Sequence, residues 1–128
     1  MLKDVTVLVV EDSRRRARLL ALGLGELRAT VYRAGSVAEG LAVFEEVGPH
    51  VVASAPSFVD GTGCDLVRAA RGLRSRRAAT FAAVAMTDGA PGPEVFAAGF
   101  LAVCQRPCLP NDLGSVIVAA IARSRLAV

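Results

Sequence analysis

The chain has 128 residues, a length that suits one domain with a single hydrophobic core. Hydrophobic residues make up 53% of the sequence, which argues against intrinsic disorder, and no apolar stretch is long enough to predict a membrane span. The net charge of +3 includes arginine clusters at 14–18 and 68–77; without interleaved aromatic residues, these indicate solvated helix faces or an acidic protein partner rather than nucleic-acid binding.

The first two elements are a strand and a helix. A continuous apolar, β-branched run at residues 5–10 is typical of a strand that is covered on both faces. Asp12 or Ser13 can cap the helix that follows, and apolar residues recur along it at helical spacing. Gly23 and Gly25 lower the helix propensity of this segment.

Strand-like and helix-like segments go on alternating along the rest of the chain. Apolar runs predict the strands, while capping residues, helical periodicity and terminal glycine or proline predict the helices. We predict strands at 5–10, 30–34, 51–55, 81–86 and 100–104, helices at 12–27, 36–48, 64–73, 94–98 and about 110–126, and loops at 56–63 and 88–93. Five strands alternating with five helices predict a single doubly wound α/β domain over residues 1–128.

Polar residues follow three of the predicted strands. Glu11 and Asp12 follow the first strand, Thr87 follows the fourth, and Arg106 with Pro107 follows the fifth. The third strand ends instead at Ala55, whose side chain is a methyl group.

These residues and their spacing resemble the receiver domain of bacterial response regulators. The resemblance extends from about residue 5 to residue 123, and its most specific segments are Val-Leu-Val-Val-Glu-Asp-Ser at 7–13, Gly-Pro-His-Val-Val at 48–52 and Ala-Gly-Phe-Leu-Ala-Val-Cys-Gln-Arg-Pro at 98–107. It implies a flavodoxin-like (βα)5 fold with a five-stranded parallel sheet of order 2-1-3-4-5. In such folds, ligands bind at the topological switch point, where the carboxyl ends of strands 1 and 3 meet.

The resemblance also implies a role for each residue of the site. In the family, two acidic residues help to bind Mg²⁺, an aspartate after the third strand accepts the phosphoryl group, and a hydroxyl and a lysine contact it. Glu11 and Asp12 match the acids, Thr87 matches the hydroxyl, Arg106 replaces the lysine, and Ala55 replaces the aspartate. Alternatively, the acids stabilise a helix N-terminus and the hydroxyl caps a nearby backbone group.

Further departures from the family lie around the same site. Val103 replaces an aromatic residue, Asp88 stands where a small residue is usual, and Val59 with Asp60 stands where a Pro-Gly pair is common. We therefore expect a degenerate phosphorylation site without catalytic residues or a bound metal, because Mg²⁺ affinity should be lost or weak without the third carboxylate. Arg106 should instead pair with one of three acids, which are Glu11, Asp12 and Asp88.

These expectations describe a non-enzymatic pseudo-receiver that acts through protein–protein contacts in two-component signal transduction. One alternative is a phosphorelay receiver with a substitute acceptor such as Asp60, although Asp60-Gly61 is more typical of a turn. A second alternative is a sensor of a small anion or nucleotide, which the short Gly61-Thr62-Gly63 segment does not support. Nothing resembles a signal peptide, so we expect a cytoplasmic location, either as a stand-alone protein or as a segment of a larger one.

The resemblance implies that a protein partner, or a second copy in a homodimer, binds the face formed by the fourth helix, the fifth strand and the final helix. The final helix is apolar nearly all round, and only the stripe of Leu113, Ile117, Ala120 and Ile121 is needed for the core. An exposed apolar patch would indicate an interface, although a helix buried apart from an alanine-rich edge is the alternative. The interface candidates are Val95, Phe96, Val103, Val118 and Ala122.

The three cysteines, Cys64, Cys104 and Cys108, are an odd number without zinc-type spacing. A metal site would need more ligands than these and His50, the single histidine, provide. We therefore expect reduced thiols, as is usual for a cytosolic protein.

Overall fold

The computed structural model describes residues 1–126, which form seven strands and six helices. The strands are β1 (Thr6–Val10), β2 (Thr30–Ala34), β3 (Val51–Ser54), β4 (Ser57–Phe58), β5 (Gly61–Thr62), β6 (Ala82–Thr87) and β7 (Phe100–Gln105). The helices are α1 (Arg14–Glu26), α2 (Val37–Val47), α3 (Gly63–Arg71), α4 (Arg76–Thr80), α5 (Pro93–Ala97) and α6 (Pro110–Leu126). None of the helices in this part of the chain combines the length and apolarity needed to cross a membrane.

Five of the strands form one parallel sheet in the order β2-β1-β3-β6-β7. Because β6 and β7 are the fourth and fifth strands of this sheet, the predicted order 2-1-3-4-5 and the flavodoxin-like fold are confirmed. The carboxyl ends of the central strands are in register, since Val10 of β1 pairs with Ser54 of β3, and Ser54 with Ala85 of β6. The residues that follow these strands therefore meet at one edge of the sheet.

The hydrophobic core has two layers, one on each face of the sheet. Val7 and Val9 point towards the layer that α1 and α6 cover, whereas Leu8 and Val10 point towards the layer of α2 and α3. This alternation follows from the two-residue period of a strand, and it explains why β1 is apolar at every position. In α6, the predicted core positions Leu113, Ile117 and Ala120 are fully buried, and Ile121 is partly buried.

The structure differs from the predicted elements in two short segments. The predicted loop at 56–63 contains a hairpin, in which Ser57 pairs with Thr62 and Phe58 with Gly61. The helix α4 was not predicted, although Ser75 caps it by accepting a hydrogen bond from the Ala78 N–H at 3.1 Å. Both elements are too short to produce a readable hydrophobic period.

The expectation of three reduced thiols is wrong for two of them. Cys104 and Cys108 form a disulfide, while Cys64 is free. Their Cα atoms are 6.0 Å apart, within the span of a disulfide. Composition could not reveal this pairing, because it depends on the chain turning back after β7.

Candidate functional site

Glu11 forms the centre of a buried charge cluster at the carboxyl edge of the sheet. The residue is only 2% exposed, and its backbone N–H donates to the Ala34 carbonyl at 2.9 Å. Its Oε1 accepts hydrogen bonds from Arg106 Nη2 at 2.8 Å and from Arg16 Nε at 3.1 Å. Its Oε2 accepts from the Ser13 N–H at 3.1 Å. Both carboxylate oxygens are thus engaged, which compensates for burial of the charge.

Arg106 connects residues that follow three strands of the sheet, which are β1, β6 and β7. Its backbone N–H donates to the Thr87 carbonyl at 2.7 Å, so the residue is fixed beside β6. Its guanidinium contacts Glu11 after β1 and Asp88 Oδ1 after β6, the second at 3.3 Å. The side chain of Arg106 is 19% exposed, whereas that of Asp88 is 68% exposed. The expected ion pair is confirmed, with the buried Glu11 as the closer of its two acidic partners.

Asp12 is exposed, and its carboxylate is in none of the ion pairs found in residues 1–126. The pKa of Asp12 lies below its usual value; its interaction with the Glu11 side chain is the largest cause, and the positive charges of Arg16 and Arg106 act in the same direction. Asp12 therefore stays ionised at neutral pH. Ser13, the other predicted cap, begins α1 by accepting a hydrogen bond from the Arg16 N–H.

Ala55 lies directly after β3 and is 1% exposed. Its N–H donates to the Val10 carbonyl at 2.9 Å, which fixes it beside the end of β1. Thr87 ends β6, and its hydroxyl donates to the Gly89 carbonyl at 2.7 Å, so the hydroxyl proton is used within the loop. A cavity of about 320 Å³ lies beside these two residues, and Cys64 also lines it.

The side chains at this edge do not fit a bound Mg²⁺ ion. Mg²⁺ requires oxygen ligands in octahedral geometry. Of the three positions expected to supply metal ligands, Glu11 has both oxygens engaged and Ala55 has no side-chain oxygen. Only Asp12 has a carboxylate that is outside the ion pairs of the described residues. Within the described residues, no group of three His, Cys, Asp or Glu side chains is placed to hold a metal ion.

Asp60 lies on the hairpin and caps α2 rather than approaching the acidic pair. Its two carboxylate oxygens accept hydrogen bonds from the N–H groups of Val37 and Ala38, both at 2.9 Å. These bonds, with the one from Ala38 as the larger cause, lower the pKa of Asp60. No sequence pattern indicates this role, because the two hydrogen-bond donors are more than twenty positions away along the chain. The neighbouring Thr62 caps α3, since its hydroxyl oxygen accepts a hydrogen bond from the Asp65 N–H at 3.1 Å.

The five interface candidates differ in exposure. Phe96 is 52% exposed and Val118 41%, and Ala122 is also exposed, whereas Val95 and Val103 are partly buried. Exposed leucines also lie on α1 and after β7, and these are Leu19, Leu22 and Leu109.

Comparisons with known proteins identify the fold. The sequence matches no protein-family model and no curated protein. The chemotaxis response regulator CheY4 of Vibrio cholerae has a similar structure, with a TM-score of 0.83 and 21% identity over 91% of this chain and 98% of that one. A CheY-like receiver domain protein of Methanospirillum hungatei JF-1 gives a TM-score of 0.84 and 22% identity, with both chains fully covered (100% each). A receiver domain protein of Clostridium thermocellum gives 0.82 and 22%, over 97% of this chain and 99% of that one. The chain therefore has the fold of response regulator receiver domains.

Proposed function

We propose that the chain is a receiver-like signalling domain that is not phosphorylated. It would act through protein–protein contacts in two-component signal transduction, in the cytoplasm and without catalysis of its own. The observation that supports this proposal is the buried ion pair between Arg106 and Glu11, at the same edge of the sheet as the buried Ala55.

Phosphoryl transfer to this edge would lack its essential groups. The methyl group of Ala55 is not a nucleophile, and the carboxylate of Glu11 is neutralised by arginine instead of being free for a cation. Transfer to a carboxylate depends on an in-line acceptor and on a metal that neutralises the developing charge. Asp60, the substitute acceptor suggested by sequence, has both oxygens engaged at α2.

The ion pairs of Arg106 provide a different way to connect the strand ends. A single guanidinium contacts Glu11 after β1 and Asp88 after β6, while Arg106 itself follows β7. These contacts are charge-assisted, and the one with Glu11 is shielded from solvent. We infer that they hold the edge of the sheet in one conformation, so that regulation depends on partner binding instead of phosphorylation.

A phosphorylation assay tests the proposal. After incubation with acetyl phosphate and Mg²⁺, the intact mass of the chain should show no added phosphate. The matched control is the Ala55→Asp/Arg106→Lys double variant, which regains an acceptor and a lysine and should gain one phosphate. Phosphate on the unaltered chain would contradict the proposal, and its disappearance in the Asp60→Asn variant would identify Asp60 as the acceptor.

We further propose that a protein partner, in the simplest case a second copy of the chain, covers the face of α5, β7 and α6. The exposed Phe96 and Val118 support this, because burial of such side chains on association is favourable. Size-exclusion chromatography with light scattering should show a dimer at high concentration that Val118→Asp converts to a monomer. The control variant Leu22→Asp, at an exposed position of α1, should stay dimeric. A strict monomer at high concentration would exclude the homodimer.

A further inference from the structure

The cysteine pair encloses the residue that carries the central ion pair. Cys104 is in β7, Cys108 is in the loop before α6, and Arg106 lies midway between them. We propose that Cys104 and Cys108 are a reversible thiol–disulfide switch that controls the segment holding Arg106. This inference does not depend on whether the chain is phosphorylated or on which protein it binds.

The two sulfur atoms differ in accessibility. Cys104 is 6% exposed and belongs to the core layer between the sheet and α6. Cys108 is partly buried, and it lines a cavity of about 420 Å³ between α1 and the loop after β7. A small reagent that enters this cavity therefore meets Cys108 first, and Cys104 is placed to react only with Cys108.

The same cavity has a charge pattern that suits thiol exchange. The guanidinium groups of Arg16 and Arg106 line it together with the carboxylate of Glu11, while Asp88, the second partner of Arg106, lies outside the lining. Positive charge beside a cysteine favours the thiolate, which is the form that attacks a disulfide.

The oxidation can be written as two exchange steps with a small disulfide such as oxidised glutathione. The Cys108 thiolate attacks one sulfur of the small disulfide, forms a mixed disulfide and releases one glutathione thiolate. Cys104, after losing its proton to solvent, attacks the Cys108 sulfur and releases the second glutathione. The protein loses two electrons and the small disulfide gains them; a dithiol reductant reverses the sequence.

The position of the pair indicates regulation more than support of the fold. Its cysteines are separated by four positions. A disulfide that closes so short a loop removes less conformational entropy from the unfolded chain than one that closes a long loop, so it stabilises the fold less. The chain already has a core on both faces of the sheet. In the disulfide form the turn around Arg106 is closed covalently, whereas in the dithiol form it is held by hydrogen bonds and ion pairs alone.

Redox titration of the whole chain tests the first part of the proposal. The Cys64→Ser background removes the third thiol, which burial already makes less reactive by raising the pKa of Cys64. The folded protein is equilibrated in mixtures of reduced and oxidised glutathione, then alkylated in denaturant so that the buried Cys104 is also labelled, and weighed by mass spectrometry. Two alkyl groups should be added under reducing conditions and none under oxidising conditions, and the change should reverse.

Hydrogen exchange of the two forms tests the consequence for Arg106. The amide of Arg106, which donates to the Thr87 carbonyl, should exchange roughly tenfold faster in the dithiol form, because the turn opens more often without its crosslink. The amide of Phe81, at the opposite end of the sheet, should not change and serves as an internal control. The Cys108→Ser variant should show the faster exchange at every glutathione ratio.

Three results would overturn the proposal. The first is a pair that takes up two alkyl groups at every glutathione ratio. The second is a disulfide that a dithiol reductant cannot open in the folded protein. The third is equal exchange of the Arg106 amide in both forms. Because the last comparison uses the two redox forms of one folded chain, it stands even if the serine variant does not fold.

Discussion

Replacing Arg106 with alanine should lower the free energy of unfolding by about 2–3 kcal/mol, measured by urea denaturation. Removing one partner of a buried ion pair is costly because the other charge is left without compensation. Glu11 is 2% exposed, so water compensates little of its charge. The loss should fall below the largest values for buried pairs, because Arg16 and the Ser13 N–H still contact the carboxylate.

Arg16→Ala provides the matched control, since Arg16 contacts the same oxygen of Glu11. Its side chain is 55% exposed, so its removal should cost less than about 1 kcal/mol. In the Glu11→Gln background, the effect of Arg106→Ala should shrink by about 1–3 kcal/mol, since the charge it compensates is absent. Equal, small losses for the two arginines would show that the buried pair does not hold this edge of the sheet.

Replacing Gly23 with alanine should destabilise the protein by about 1–3 kcal/mol, although helix propensity alone predicts a gain. A Cβ atom at position 23 would lie 2.1 Å from Cβ and 2.4 Å from Cγ of Pro110. Pro110 begins α6, and its ring cannot turn aside as a flexible side chain would. The helices α1 and α6 would have to separate, which would open the layer that contains Leu24 and Leu113.

Gly25→Ala is the control for this prediction, because it changes the same helix in the same way. Nothing lies within 4 Å of a Cβ atom built at Gly25. Alanine there should raise stability by up to about 1 kcal/mol through helix propensity alone. Thermal and urea unfolding of the two variants should therefore give opposite signs. A stabilising Gly23→Ala substitution would mean that α1 and α6 are not in close contact at this point.

The fold could be predicted because its signals are local. The β-branched run at 5–10 indicates a strand buried on both faces, and the structure buries Val7 and Leu8 on opposite sides. Ser13 and Ser36 begin α1 and α2 as capping residues. Each of these features depends on residues a few positions apart, which is the range over which sequence patterns are informative.

Other features depend on residues that are distant along the chain or in elements without a readable period. Gly23 lowers the helix propensity of α1, but Pro110 lies so close that there is no space for a side chain at this position. Asp60 looks like a turn residue, yet its carboxylate caps α2 across the hairpin. The pairing of Cys104 with Cys108 was not predicted, because an odd number of cysteines without zinc-type spacing favours reduced thiols in a cytosolic protein.

At the candidate site, sequence could indicate which residues gather but not how they pair. Arg106 had three acids within its expected reach, and the order of strands alone does not choose between them. The structure places the guanidinium against Glu11 and Asp88, because the backbone N–H of Arg106 donates a hydrogen bond to the Thr87 carbonyl at the end of β6. Which acids pair with Arg106 depends on the backbone conformation of the loops after β6 and β7, and hydrophobic periodicity does not predict loop conformation.

Isothermal titration with MgCl2 tests most directly the claim that an arginine ion pair replaces the metal at this edge of the sheet. The unaltered chain should give no binding heat at physiological Mg²⁺ concentrations, because Glu11 is engaged and Ala55 has no oxygen to offer. The Ala55→Asp/Arg106→Lys variant, with its added carboxylate, should bind detectably. Tight Mg²⁺ binding by the unaltered chain would contradict the account.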